Sequence, residues 1–403
     1  TILATRLFKL GDTVDTHRPV HKIVAEYLAA EYLTNRIANP TDALSLEKCL
    51  PVIAPNSAVR EELRGLVGWM ASLGNECIQE AMIGLDPYAV LANGDPSQLE
   101  SSSKRLLVRL LKDIEKKDPY FRRGDFWRRF SIAGFFTTEV ISEIKPLLSQ
   151  DSEGHLRDLL LELLAGSPAT KHLINELRAI ALSPQEAEYT RIMAVNCLMD
   201  QGDAYNHYPD LAVLIFEASQ TSLTVAAKVI ENRDPKNFNK PYLSGFFRVC
   251  ANLYLGRKER LERTIGTRHF VRHLVNLLDL STTKCILDDL TNGLTCCCGK
   301  ENYECDCRNG ISKVVGLLLD HYFELTSSPY NPEQVWRWVR NLNFHGGMSR
   351  KQSKSVDILH TDKHLRQGII KHVFGPLTDK DKIFKKKGPQ FRLAHPFRPW
   401  LLP

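Results

Sequence analysis

Five cysteines crowd into twelve residues: Cys296, Cys297 and Cys298, then Gly299 to Glu304, then Cys305, Asp306 and Cys307. Thiolates at this density suit zinc, which takes four tetrahedral ligands and holds sulfur at about 2.3 Å. Cys296, Cys298, Cys305 and Cys307 can close one structural site, with Cys297 turned away. Gly299 would let backbone N–H groups approach the sulfur of Cys298. Two C-x-C pairs are tighter than the usual C-x-x-C pairs, so other ligand sets stay open. Cys297 can replace Cys296, and His273 or His345 can supply a ligand from elsewhere. A loop of redox-labile thiols on a helical hairpin is the reading that needs no metal. A catalytic metal is not expected, because no Glu or His stands at the spacing of a metal-hydrolase motif.

Other groups point to binding more than to catalysis. His360 and His364 are four apart and can share one helix face. H-E-x-x-H is absent, so a partly exposed structural face is expected. Arg122-Arg123-Gly124-Asp125-Phe126-Trp127-Arg128-Arg129 interleaves aromatics with arginines. Such a run can meet nucleic acid or an acidic partner through charge and stacking. The plainer reading is a solvated helix face with Phe126 and Trp127 turned inward. No G-x-x-x-x-G-K-[ST] loop occurs, so this span cannot cradle a triphosphate by itself. With no nucleophile elbow and no paired-carboxylate motif either, the chain is not expected to be an enzyme.

Length and composition bound the elements that would carry these groups. The chain has 403 residues, 43% of them apolar, which suits two or three folded domains. No run approaches the roughly 20 apolar residues of a membrane-spanning helix, and a cytoplasmic protein without a membrane partner is expected. The five other cysteines (Cys49, Cys77, Cys197, Cys250, Cys285) stand singly, mostly in apolar helical surroundings. They read as buried thiols of a reducing compartment. Net charge is +6, but residues 349–403 hold 13 Lys and Arg against 4 Asp and Glu. The basic bias therefore belongs to the last segment, where Lys385-Lys386-Lys387 can add salt-sensitive affinity for nucleic acid.

Periodicity predicts an all-α fold. Apolar residues around Gly11-Asp12 read as a hairpin within Leu3 to Val14. Val20, Ile23, Val24, Tyr27 and Leu28 then form a helical stripe that Asn39-Pro40 stops. Leu63, Leu66, Val67, Met70 and Leu73 make another face, closed by Gly74-Asn75. Asp86-Pro87 and Gly94-Asp95-Pro96 mark turns. Two helix pairs are expected between Thr138 and Gly202: Glu139 to Leu148 with Gly154 to Leu164, and Lys171 to Leu182 with Ala187 to Met199. Such pairs cannot bury both faces alone and must stack on neighbours. Further helices are expected to about residue 290, then over Ile311 to Phe323, Glu333 to Leu342 and Ser353 to Phe374.

Three stretches carry resemblances. His21-Lys22-Ile23-Val24-Ala25-Glu26-Tyr27-Leu28-Ala29-Ala30 resembles the H-R-[ST]-x-x-E-[FY]-L-A-A helix of NACHT-type signalling ATPases of the STAND class, with Lys22 and Ile23 departing from the pattern. Arg191 to Leu198, followed by Gly202-Asp203, resembles the R-x-x-A-V-x-x-L…G-D helix of HEAT repeats. Cys305 to Phe323 is similar to a C-terminal segment of some large bacterial NACHT ATPases of antiviral defence.

The resemblance implies a fragment: 1–40 as the end of a winged-helix domain, 41–290 as a HEAT-like α-solenoid, 291–348 as a Cys-rich loop with a helical module, and 349–403 as a basic tail. It implies that His21 contacts the phosphates of ADP and that ATP or ADP is bound mainly by a missing NTPase domain. The implied partners are that domain, a protein ligand on the repeat surface, and further copies in a homo-oligomer of the full-length protein. A free-standing HEAT-like scaffold and a nucleic-acid-binding factor are the alternatives.

Overall fold

The structure is a computed structural model that describes residues 8–10, 17–122, 134–149, 154–202, 205–254, 261–294, 308–340, 342 and 353–375. It begins with two short strands, β1 (Phe8–Leu10) and β2 (His17–Pro19), paired antiparallel with Leu10 opposite His17. The hairpin expected within Leu3 to Val14 is not the pair observed: the second strand, His17–Pro19, lies beyond that stretch, and residues 11–16 lie outside the described residues. All other described elements are α-helices or single 3-10 turns.

The chain divides into two compact units, Thr1–Tyr205 and Asn206–Pro403. That division falls inside the stretch 41–290 read from sequence as one repeat region. The first unit holds α1 (Lys22–Ala38), α2 (Leu46–Ile53), α3 (Arg64–Leu73), α4 (Glu76–Leu85), α5 (Pro87–Asn93), α6 (Ser101–Lys117), α7 (Thr138–Leu148), α8 (Leu156–Leu164), α9 (Ile174–Leu182) and α10 (Glu188–Met199). The second holds α11 (Tyr208–Glu217), α12 (Gln220–Asn232), α13 (Lys240–Ala251), α14 (Leu261–Asn276), α15 (Leu280–Thr291), α16 (Asn309–Leu325), α17 (Pro332–Val339), α18 (Lys354–Thr361) and α19 (Lys363–Phe374).

Helix starts follow capping chemistry. Asn75 accepts from the backbone of Ile78 to open α4, and Asp86 accepts from Ala89 to open α5 with Pro87 in its first turn. Ser219 forms a capping box with Ser222 at α12, and Asn331 caps α17 ahead of Pro332.

Within each unit, helices pack on the next but one. In the first unit α1 meets α3, α3 meets α5, α4 meets α6, α6 meets α8, and α8 meets α10. In the second unit α13 meets α15, α15 meets α17 and α17 meets α19, beside the row α12, α14, α16 and α18. Each helix thus covers what its sequence neighbour leaves open, the packing logic of stacked helical pairs. The fold is all-α and solenoid-like, as the periodicity predicts.

The repeat-like stretch shows how. Leu163 and Leu198, some 35 residues apart, are both buried. Arg191 is fully buried, and its Nε donates to the carbonyl of Ala181 at 2.9 Å. That carbonyl ends α9 without a helical partner, so the arginine satisfies a group that would otherwise be stranded. In the second unit α16 is the inner helix: from Arg308 to Phe323 only Lys313, Leu317 and Asp320 reach the surface in part. It enters against α13 at Gly310, where a Cβ would lie 1.9 Å from the carbonyl oxygen of Ala251. Trp336 and Trp338 of α17 are both buried, as expected, and the Trp338 indole donates to Asp288 at 2.7 Å.

Candidate functional site

The helix carrying the resemblance, α1, follows β2 after two residues. His21 is its N-cap residue, in extended conformation, with an exposed side chain that makes no capping bond. Lys22 reaches Glu26 at 3.2 Å. The Glu26 carboxylate lies over Gly65 of α3, so close that a Cβ there would fall 2.1 Å from it. The Tyr27 ring meets Trp69 edge-on, with centroids 5.2 Å apart. Ala30 is fully buried, and buried Thr34 returns its hydroxyl proton to the Ala30 carbonyl at 2.8 Å.

This geometry corrects the stripe read from sequence. The covered line runs Tyr27, Ala30, Thr34, not Val20, Ile23, Leu28. Small Ala30 and bare Gly65 let the α1 and α3 backbones approach, and that approach fixes the rotation of α1. Val24 and Tyr27 are half-buried, whereas Val20, Ile23 (56% exposed), Leu28 and Tyr32 (59% exposed) face outward. The helix ends on a fork: Arg36 donates from Nε and Nη2 to Asp42, both at 2.8 Å, and from Nη1 to the Tyr32 hydroxyl. Asp42 also accepts from the backbone of Leu44. The Arg36 bond, with that of Leu44, holds the carboxyl at about 2.

Arg122, which opens the arginine–aromatic run and is expected from sequence on a solvated helix face, is committed inward. It is fully buried and places both Nη atoms on the Glu162 carboxylate at 3.2 and 2.9 Å. Burial opposes its charge, but the Glu162 bonds outweigh that and raise its pKa. Tyr189 also donates to Glu162, at 2.8 Å. Beside them Thr190 donates to Asp158 at 2.7 Å, and burial pushes the Asp158 carboxyl up against that bond and the nearby Arg157 charge. Arg123 to Arg129 lie outside the described residues.

The cysteine cluster (Cys296, Cys297, Cys298, Cys305 and Cys307) and His345 also lie outside them. His273, named as a possible further ligand, is exposed on α14 with its Nε2 3.3 Å from Glu231. Among the described residues no group of three or more His, Cys, Asp or Glu is placed to hold a metal ion. His360 and His364 do not share a helix face. Asp362 ends α18 and caps α19 by accepting from Leu365, so the two rings belong to different helices, and both are exposed. Cys49, Cys197 and Cys250 are buried free thiols, Cys285 is half-buried and Cys77 is exposed. Burial pushes the Cys197 thiol up to about 12.

One surface feature belongs to no sequence motif. A groove of about 320 Å³ runs between α6 and α7, with Val108, Pro146 and Leu147 beneath and Arg109, Lys112 and Lys116 at its rim. Its signal in the sequence is the spacing of Arg105, Arg109, Lys112 and Lys116, which puts four cations on one face of a single helix. Among the described residues, no helix is long and apolar enough to cross a membrane. No family model, curated protein or solved structure matches the chain.

Proposed function

We propose that this chain is the recognition part of a NACHT/STAND-type signalling NTPase, as used in bacterial antiphage defence. Its helical units would bind a protein ligand, and α1 would report that binding to a nucleotide-binding domain on the same polypeptide. The observation that carries the reading is the division of labour on α1. Glu26, Tyr27 and Ala30 of the H-K-I-V-A-E-Y-L-A-A motif are committed to α3, while His21, at the helix start beside the paired strands, is exposed and makes no capping bond. A side chain so placed is open to a phosphate of ADP held by another domain. The outward apolar face of α1 offers that domain something to cover.

In this scheme the chain works without catalysis of its own. ADP bound through His21 favours a closed state; a ligand on the helical units favours an open one and shifts the balance toward assembly of several copies. A near-complete switch requires differential affinity of about 5 kcal/mol between the two states. Zinc on Cys296, Cys298, Cys305 and Cys307 would tie down the segment ahead of α16 and would have a structural role only.

The test is ADP retention by the full-length gene product. His21→Ala should release co-purifying ADP about tenfold faster than wild type, a loss of one charge-assisted contact. Unchanged release, or the absence of bound nucleotide in both, counts against the role given to His21. The stacking of helices within each unit equally supports a free-standing protein-binding scaffold. That reading would gain if the gene product carries no nucleotide at all.

A further inference from the structure

We propose that the groove between α6 and α7 docks an acidic peptide segment of a protein partner, one that carries an aliphatic side chain beside its carboxylates. The inference rests on the reading of this chain as a protein-recognition module and names the chemistry that one of its surfaces would select.

The charge pattern comes first. Of the rim cations, Arg109 is held by Glu143, and Lys116 by Asp113 at 2.8 Å. Lys112 has no carboxylate within ion-pair distance among the described residues. The Lys116–Asp113 pair joins neighbouring turns of one helix, and both side chains are more than half exposed, so it yields readily to a competing carboxylate. Lys116 and Lys117 stand in the last turn of α6, where the helix dipole by itself favours cations. That effect fades within one turn and does not account for Arg109 and Lys112.

The two carboxylates at the rim report the local potential. Glu143 lies below the ordinary range through its Arg109 bond and the Arg109, Arg105 and Lys112 charges, although burial opposes this. Asp113 is lowered by Lys116 first and then by Lys117 and Lys112. A carboxylate arriving from a partner enters the same field.

The floor selects among anions. Val108 and Leu147 are already buried and Pro146 is exposed, so an aliphatic side chain laid there would lose its own water and cover that of Pro146. A nucleic-acid strand would find no aromatic platform among the groove's lining residues.

Fluorescence anisotropy on the full chain tests this with a labelled peptide of repeating Glu-Leu-Asp. Repeating Glu-Ser-Asp, repeating Lys-Leu-Lys and a single-stranded oligonucleotide serve as comparison probes. The Glu-Leu-Asp peptide should bind most tightly, with affinity falling as salt is raised. Lys112→Glu should weaken it by about tenfold or more. Lys354→Glu, at an exposed position of α18 in the other unit, should leave it unchanged, and circular dichroism should show both variants folded. Absence of binding overturns the proposal; so does equal binding by Lys112→Glu, or tighter binding of the oligonucleotide. No nucleotide enters the assay, so its failure is separate from failure of the ADP-retention test.

Discussion

At the scale of single residues, the first unit spends its buried charge on structure. The Arg122–Glu162 fork lies where one partner cannot be removed cheaply, since the survivor stays charged and dry. Arg122→Met should cost about 3 kcal/mol or more in urea unfolding, and Arg122→Met with Glu162→Leu should recover most of it. A loss below about 1 kcal/mol for the single variant would mean that water reaches Glu162.

Two carboxylates give opposite pH signatures. Asp42 sits at about 2, below its unfolded value, so its contribution is present above the unfolded pKa and is lost as pH falls toward 2. Asp158 is raised by burial, so its charged form weighs against folding at neutral pH, and that weight lifts as pH falls through its folded pKa. Asp158→Asn should therefore be more stable than wild type at pH 7, with the advantage shrinking toward pH 4. An advantage independent of pH would assign it to packing. None of this was legible beforehand: in sequence Arg122 is one arginine among four, and only the fold shows it turned inward.

At the scale of elements, sequence was informative where apolar periodicity and caps agreed. Asp86-Pro87, Gly94-Asp95-Pro96 and the paired helices between Thr138 and Gly202 stand where the pattern put them. It misled on α1, because the largest apolar side chains do not decide which face is covered when an alanine and a glycine set the approach. It misled again at Ser353 to Phe374, where Asp362 acts as a cap and splits one apparent helix into α18 and α19.

The α18–α19 hairpin is latched onto α16 by one carboxylate. Asp320 Oδ1 accepts from the Ser353 hydroxyl at 2.7 Å and from the Ser355 backbone and hydroxyl at 2.8 and 2.5 Å. Asp320→Ala should raise amide exchange in residues 354–374 by about tenfold or more and leave α13 and α15 protected. Exchange that rises in all these helices together would show that the hairpin does not open alone. Gly310→Ala tests the α13–α16 approach. With no room for a Cβ beside Ala251, it should cost about 3 kcal/mol in urea unfolding, and a smaller cost would mean that the two helices can part.

At the scale of the whole molecule, fold class was legible and chemistry was not. Helical period, turn residues and apolar content are local properties, and they added up to stacked helices in both units. Recognition depends on which faces stay uncovered, and that is fixed only by packing. The outward face of α1 and the α6–α7 groove emerge from it, as does Phe216 of α11, which is 91% exposed. The proposed role ties these surfaces to a nucleotide switch on another domain of the same polypeptide.

The most direct measurement is the coding sequence immediately ahead of Thr1. A frame that continues upstream into a G-x-x-x-x-G-K-[ST] phosphate loop is the expected result. A frame without such a loop would contradict the assignment to a signalling NTPase.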